Sequence, residues 1–140
     1  MRIAKLAVVF CKLQQHGVQL YIVSLGVAQK IDEWLAVVGL RRFFERIYGS
    51  AHVGSEPKFR LIQERIMVPS ALAREHVLFV DDDFGQHLAA ATLFCRTYHA
   101  EGPMGLSDAD LIRICDDVGV KDAMLHVAGE HVKPYFLKPY

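Results

Sequence analysis

Val77-Leu78-Phe79-Val80-Asp81-Asp82-Asp83 is the stretch on which the fold turns. Four apolar residues run straight into three carboxylates. A short continuous apolar run of this kind is the pattern of a strand buried on both faces. The carboxylates then fall at its carboxyl end, and in open α/β sheets ligands bind beyond the carboxyl ends of the strands. Three clustered carboxylates raise one another's proton affinity by mutual repulsion, which a metal ion relieves.

Outward from this stretch the same pattern recurs. Val18 to Val23 is apolar except for Gln19 and is followed by Ser24-Leu25-Gly26. Arg46 to Tyr48 reads as a short strand and Cys95 to His99 as a further buried one. Between the strands the apolar spacing is helical. Ile3, Leu6, Val9, Phe10 and Leu13 form one stripe, stopped at Gly17. Val27, Ile31, Trp34, Leu35 and Val38 form a second, stopped at Gly39. Phe59, Ile62 and Ile66 form a third, with Ser55 as a cap and Pro57 in its first turn. An alanine-rich helix follows over Gly85 to Phe94, and Ser107 with Asp110 makes a capping box that opens a helix through Cys115. Ala51 to Glu56 reads as a loop, Pro69 to His76 as a connector and Glu101 to Gly105 as a turn. Trp34, Phe43 and Phe44 are assigned to the core. Alternating strands and helices give an α/β domain with a mainly parallel sheet. Residues 131–140, with Tyr135-Phe136-Leu137, read as an extended arm.

Composition narrows the partners. At 140 residues the chain has the length of one domain, and its 52% hydrophobic and 23% charged residues are those of a globular protein. Lys+Arg and Asp+Glu both number 16, so bulk charge gives no basis for a nucleic-acid or anionic-membrane partner. The same balance leaves little repulsion against self-association. No apolar run reaches the roughly 18–20 residues of a membrane span. The apolar start is interrupted by Lys5 and Lys12 and lacks a cleavage site, so a soluble cytoplasmic protein is expected. Cys11, Cys95 and Cys115 have no metal-type spacing and read as buried free thiols. The seven histidines are scattered; His52 and His99 lie near strand ends but are read as core or surface residues.

Three residue sets stand out for chemistry. Ser24 follows the first visible strand, Lys58 opens a helix, and Asp81 with Asp82 ends the strand after it. A hydroxyl and an ammonium hold phosphate oxygens, and adjacent carboxylates hold Mg²⁺. Asp83 is assigned to capping the helix that follows.

This arrangement resembles the haloacid dehalogenase (HAD) superfamily, in which a Ser or Thr ends the second strand, a Lys sits at a helix start and an acidic pair ends the fourth strand. It is most similar to the small magnesium-dependent phosphatase group, through Leu13 to Val18, Phe43 to Gly49, Gly54-Ser55-Glu56, Val77 to Asp83 and Gly102 to Leu106, over about residues 3–115. The resemblance implies a three-layer Rossmannoid α/β domain over residues 1–119, with 120–140 as a C-terminal extension. It implies accessory phosphate-binding roles for Ser24 and Lys58, Mg²⁺ on Asp81 and Asp82, and a phosphorylated small molecule or phosphoprotein as substrate. Two positions depart from that group: Glu56 stands where its lysine more often follows Gly-Ser, and Gln86 where relatives often have an asparagine that supports the metal site.

The resemblance also implies an aspartate nucleophile in an Asp-x-Asp motif after a first, central strand. No Asp or Glu precedes Ser24 here, and the helical spacing from Ile3 to Leu13 places that segment on the helix after such a strand. The expected domain therefore lacks its first strand, binds Mg²⁺ weakly or not at all, and has negligible phosphatase activity. The neighbours of a missing central strand either pair directly, accept another segment or chain, or leave a poorly stable fragment with exposed edges. The competing reading is a non-catalytic pseudo-phosphatase or protein-interaction module, with a homodimer formed through the sheet edges. A flavodoxin-like receiver domain is a further alternative, but receivers place their acidic pair after the first strand.

Overall fold

The computed structural model describes residues 2–93, 96–100 and 106–120. Helix α1 spans Arg2–Gln15 and turns its apolar stripe inward, with Val9 and Leu13 buried. Helix α2 spans Ala28–Val37, and helix α6, which follows five others in the described residues, spans Asp108–Asp117. All three end in the same way. After α2, Gly39 takes φ +78°, its N–H bonds the carbonyl of Ala36, and Leu40 N–H bonds that of Leu35 at 2.8 Å. Only glycine reaches that φ without strain, so the glycine closes the helix and swings the next apolar residue back onto it. Gly17 and Gly119 repeat the pattern, bringing Val18 back to Leu13 and Val120 back to Cys115. Val120 is thereby buried at 2% exposure.

Strand β1, Leu20–Val23, pairs in parallel with β2, Phe44–Tyr48; Tyr21 lies opposite Arg46 and Val23 opposite Tyr48. Strand β3, Leu78–Asp81, pairs in parallel with β4, Arg96–His99; Phe79 lies opposite Thr97 and Asp81 opposite His99. Among the described residues no ladder joins the two pairs. Tyr21 and Val23 nevertheless pack against the same apolar cluster as Val77 and Phe79. Of the outcomes expected around a central gap, direct pairing of β1 with β3 is therefore not adopted. Every residue of β1 is half-buried, where burial on both faces was expected.

Around these strands the core falls into three clusters. Tyr48, Phe59, Ile62, Ile66 and Phe79 build one. Val9, Leu13, Leu111, Cys115 and Val120 build another between α1 and α6. Leu35, Leu40, Phe43 and Ile47 build the third, beneath α2. Leu6 and Phe10 of α1 pack on both of the last two, and Phe10 meets Phe43 and Phe44 edge-on at 6.1 and 5.3 Å. Fixed aromatic pairs of this kind add to simple area burial.

Four local expectations need correction. Trp34 is 56% exposed rather than in the core, because Leu35 and Ile31 already face inward and Trp34 lies toward the outer side with Val37. Ala51 to Glu56 is not all loop: α3, Ser50–Val53, forms one turn and buries Val53. Ser55 does not cap the next helix; α4, Lys58–Leu61, begins behind Pro57 with no side-chain cap. That helix then widens into a π-turn over Ile62–Met67, in which Val68 N–H reaches back five residues to Gln63, and both Ile66 and Met67 turn inward. Helix α5, Phe84–Leu93, begins where β3 ends. The capping box at Ser107 forms, with Ser107 Oγ accepting from Asp110 N and Asp110 Oδ2 from Ser107 N. Cys11 and Cys115 are free thiols; burial, reinforced by Asp116, pushes the Cys115 thiol up to about 11. Cys95, the turn at 101–105 and the segment 121–140 lie outside the described residues. No described helix is long and apolar enough to cross a membrane.

Candidate functional site

Pro57, with φ −62°, aims the chain into α4 and makes Lys58 its first residue. The Lys58 side chain runs inward and its Nζ donates to Asp81 Oδ2 at 2.5 Å. Both side chains are buried, at 11% and 5% exposure. The other oxygen of Asp81, Oδ1, accepts the backbone N–H of Asp83 at 2.7 Å. Asp83 in turn caps α5, its Oδ1 accepting from Gln86 N at 3.1 Å and its carbonyl from His87 N at 3.0 Å. Gln86 closes the circuit, since its Oε1 accepts the backbone N–H of Lys58 at 3.0 Å. Lys58 is thus anchored at its backbone and at its ammonium. A buried charge is tolerated when it is paired and hydrogen-bonded in this way.

Asp82 points elsewhere. It is exposed, and its carbonyl contacts His99 Nε2 at 3.1 Å. The ring of His99 lies 5.4 Å from that of His87, tilted by 33°. The three carboxylates adjacent in sequence therefore do three different things: Asp81 pairs with Lys58, Asp82 faces solvent, and Asp83 caps a helix.

Ser24 sits at the end of β1, half-buried, with its backbone N–H on Tyr48 O at 2.9 Å. Its Oγ accepts Gly26 N–H at 3.0 Å and tightens the turn into α2. Gly26 O then accepts Ser50 N–H at 2.8 Å, tying this turn to α3. Helix α3 packs on α4, and α4 on α5. The carboxyl ends of β1 and β3 are linked through these helices, although no hydrogen bond joins Ser24 to Lys58 or Asp81.

The family model of the haloacid dehalogenase-like hydrolases matches residues 3–98. The chain belongs to that family. The match takes in Ser24, Lys58, Asp81 and Asp82 and covers both strand pairs through Tyr98. No curated protein and no solved structure matches the chain.

HAD-like hydrolases generally use Mg²⁺, and the donor set of this one can be tested against that ion. Mg²⁺ demands near-octahedral oxygen ligands and draws on one or two carboxylates together with water and substrate phosphate. In this HAD-like chain one Asp81 oxygen faces an ammonium and the other a backbone N–H, and Asp83 gives one oxygen to the cap of α5, which leaves Asp82 as the carboxylate with no such role. Among the described residues no three His, Cys, Asp or Glu side chains are placed to hold a metal. The arrangement does not fit a resident Mg²⁺.

Sequence spacing placed Ser24, Lys58 and the acidic run at element ends. It gave no sign that Lys58 and Asp81, 23 residues apart, meet as a buried pair. The family resemblance set Gln86 apart as a departure from a metal-supporting asparagine, and here its amide oxygen holds the Lys58 backbone. His52 is accounted for by its turn, where Nδ1 accepts Gly49 N–H at 3.1 Å.

Proposed function

We propose that this HAD-like hydrolase domain is of the phosphatase type, a domain for phosphoric ester hydrolysis in which Ser24 and Lys58 hold phosphate oxygens. The observation that carries the reading is the buried Lys58–Asp81 pair at the carboxyl end of β3. An ammonium has three donors, and Asp81 takes one, so the others serve an anion arriving at the strand ends. The ligand class is a phosphorylated small molecule or phosphoprotein met in the cytoplasm. Asp82 supplies an exposed carboxylate of the acidic loop. The residues before Ser24 include no Asp, so this chain alone turns over phosphate esters negligibly. Two measurements test the reading. Inorganic phosphate should shift the backbone amide resonances of residues 24–26 and 58–59, and shifts confined to other residues would sink it. Hydrolysis of p-nitrophenyl phosphate should stay at background; robust Mg²⁺-dependent turnover abolished by Asp81→Asn would overturn the inactive assignment.

A second reading, a non-catalytic interaction module, draws on a different observation. Among the described residues β1 and β3 each have one strand partner, and α2 exposes Trp34 and Val37. Unpaired strand edges and exposed apolar side chains are surfaces on which a second copy can dock. A defined dimer by light scattering that is lost when residues 131–140 are deleted would support it. A monomer indifferent to the deletion would count against it.

A further inference from the structure

The acidic loop holds three carboxylates in a row, yet its one buried carboxylate is already balanced. Asp81 is 5% exposed, and its two oxygens are taken by Lys58 Nζ and by the backbone N–H of Asp83. Lys58 cannot easily leave. Its backbone is held by Gln86, which sits in the first turn of α5 and is itself fixed through Asp83. Phe59, the next residue, is buried in the cluster that also holds Phe79 of β3. A cation approaching Asp81 meets a fixed positive charge at hydrogen-bond distance. Two like charges at that range repel strongly in a partly buried setting, because the surroundings screen them less than bulk water does.

We propose that Lys58 is the built-in counter-cation of the acidic loop: its ammonium takes the face of Asp81 that a divalent ion would need, so the chain binds Mg²⁺ only as loosely as a surface carboxylate does, and gains affinity when the ammonium is removed. This goes beyond the phosphatase reading and stands whether or not phosphate is a ligand. The loop is thus charged without being a metal site, and its geometry persists in the absence of divalent ions. Asp82 and Asp83 are the exposed carboxylates, and Asp83 Oδ1 is already held by Gln86 N–H, which leaves too few ligands to hold a hard cation.

The test is a titration of the full chain with MgCl₂ by calorimetry and with Mn²⁺ by electron paramagnetic resonance. The wild-type chain should show no saturable site at millimolar ion. Lys58→Arg keeps the positive charge and should behave like wild type. Lys58→Met should bind Mn²⁺ at least about tenfold more tightly, the direction expected once the like-charge repulsion is gone. A saturable wild-type site below millimolar Mg²⁺, or a folded Lys58→Met chain that binds no better than wild type, would overturn the proposal. Because Lys58→Met leaves a buried carboxylate unpaired, its fold is checked by circular dichroism. Should it fail to fold, the decision passes to the wild-type chain, where the ammonium resonance of Lys58 should stay unmoved by millimolar Mg²⁺; a saturating shift would refute the assignment. A phosphate titration of the same chain reports on the phosphatase reading separately, so either idea can fail without the other.

Discussion

The carboxyl ends of β1 and β3 both break sharply toward a helix, but they are built from different materials. At β1 the turn is backbone and small side chains: Gly26 N–H on Ser24 Oγ, Ser50 N–H on Gly26 O, and Gly49 pressed against Ala28. At β3 the turn is charge: Lys58 on Asp81, and Asp83 on the start of α5. The first end depends on space and the second on pairing. Space fails when atoms are added, whereas pairing fails when one partner is removed. The two ends should therefore respond to opposite kinds of substitution.

The largest effect is expected at the charged end. Lys58→Ala strands Asp81 as a buried, unpaired carboxylate, which typically costs about 3–5 kcal/mol. Urea denaturation should show that loss, and the double variant Lys58→Met with Asp81→Leu should recover most of it, because an apolar pair leaves no stranded charge. A double variant no better than the single would mean that the pair is not the cause.

At the other end the test is the smallest addition. A Cβ on Gly49 would lie 2.5 Å from Ala28 N and 2.7 Å from Gly26 O, both of them backbone. Gly49 has φ −106°, which any residue adopts, so the objection is to volume alone. Gly49→Ala should cost about 1–3 kcal/mol by overpacking. If it were neutral by thermal melting, the contrast between the two ends would collapse.

The start of α6 combines both materials and sharpens the comparison. Ser107→Ala removes one half of the capping box and should cost about 1 kcal/mol. Beside it, Tyr98 donates to Asp110. Desolvation, then this hydrogen bond to a carboxylate, pushes the Tyr98 phenol up to about 12. A raised acid of this kind contributes stability below its unfolded value near 10 and loses it as pH rises through about 12. Asp110 runs the other way. Burial pushes its carboxyl up, but hydrogen bonds from Tyr98 and Ser107 outweigh that and hold it below 3.8. Its contribution is present above the unfolded value and fades as pH falls through the folded one. Ultraviolet titration of wild type against Tyr98→Phe should show one late-ionising tyrosine missing from the variant. A late phase retained in Tyr98→Phe would remove Tyr98 from this account.

Which parts were legible in the sequence follows from how local each signal is. Helix α1, the glycine closures at Gly17 and Gly39 and the capping box at Ser107 were readable because a few neighbouring residues decide them. The strand Leu78–Asp81 was readable because an apolar run ends at a carboxylate. Trp34 was misplaced because an apolar stripe says which residues are hydrophobic and not how wide the buried face is. The turn Ser50–Val53 was missed because four residues carry too short a period. The meeting of Lys58 with Asp81 is a tertiary contact, and its partners lie in elements that only the crossover brings together. The same limit applies to the π-turn at Ile62–Met67, whose extra inward residue, Met67, leaves no mark on the stripe.

The two strand ladders also bear on how the chain acquires its shape. Tyr21 finds Arg46 and Phe79 finds Thr97, each across a helical crossover and never across a tight hairpin. Closing a loop of that kind carries an entropic cost before any ladder bond returns it, and parallel pairing is slow for that reason. Because no ladder spans the two pairs among the described residues, each ladder closes on its own stretch of chain, and the two meet through the apolar cluster that holds Tyr48 and Phe79. A nascent chain can complete the first pair once Tyr48 has emerged, well before the residues of the second exist.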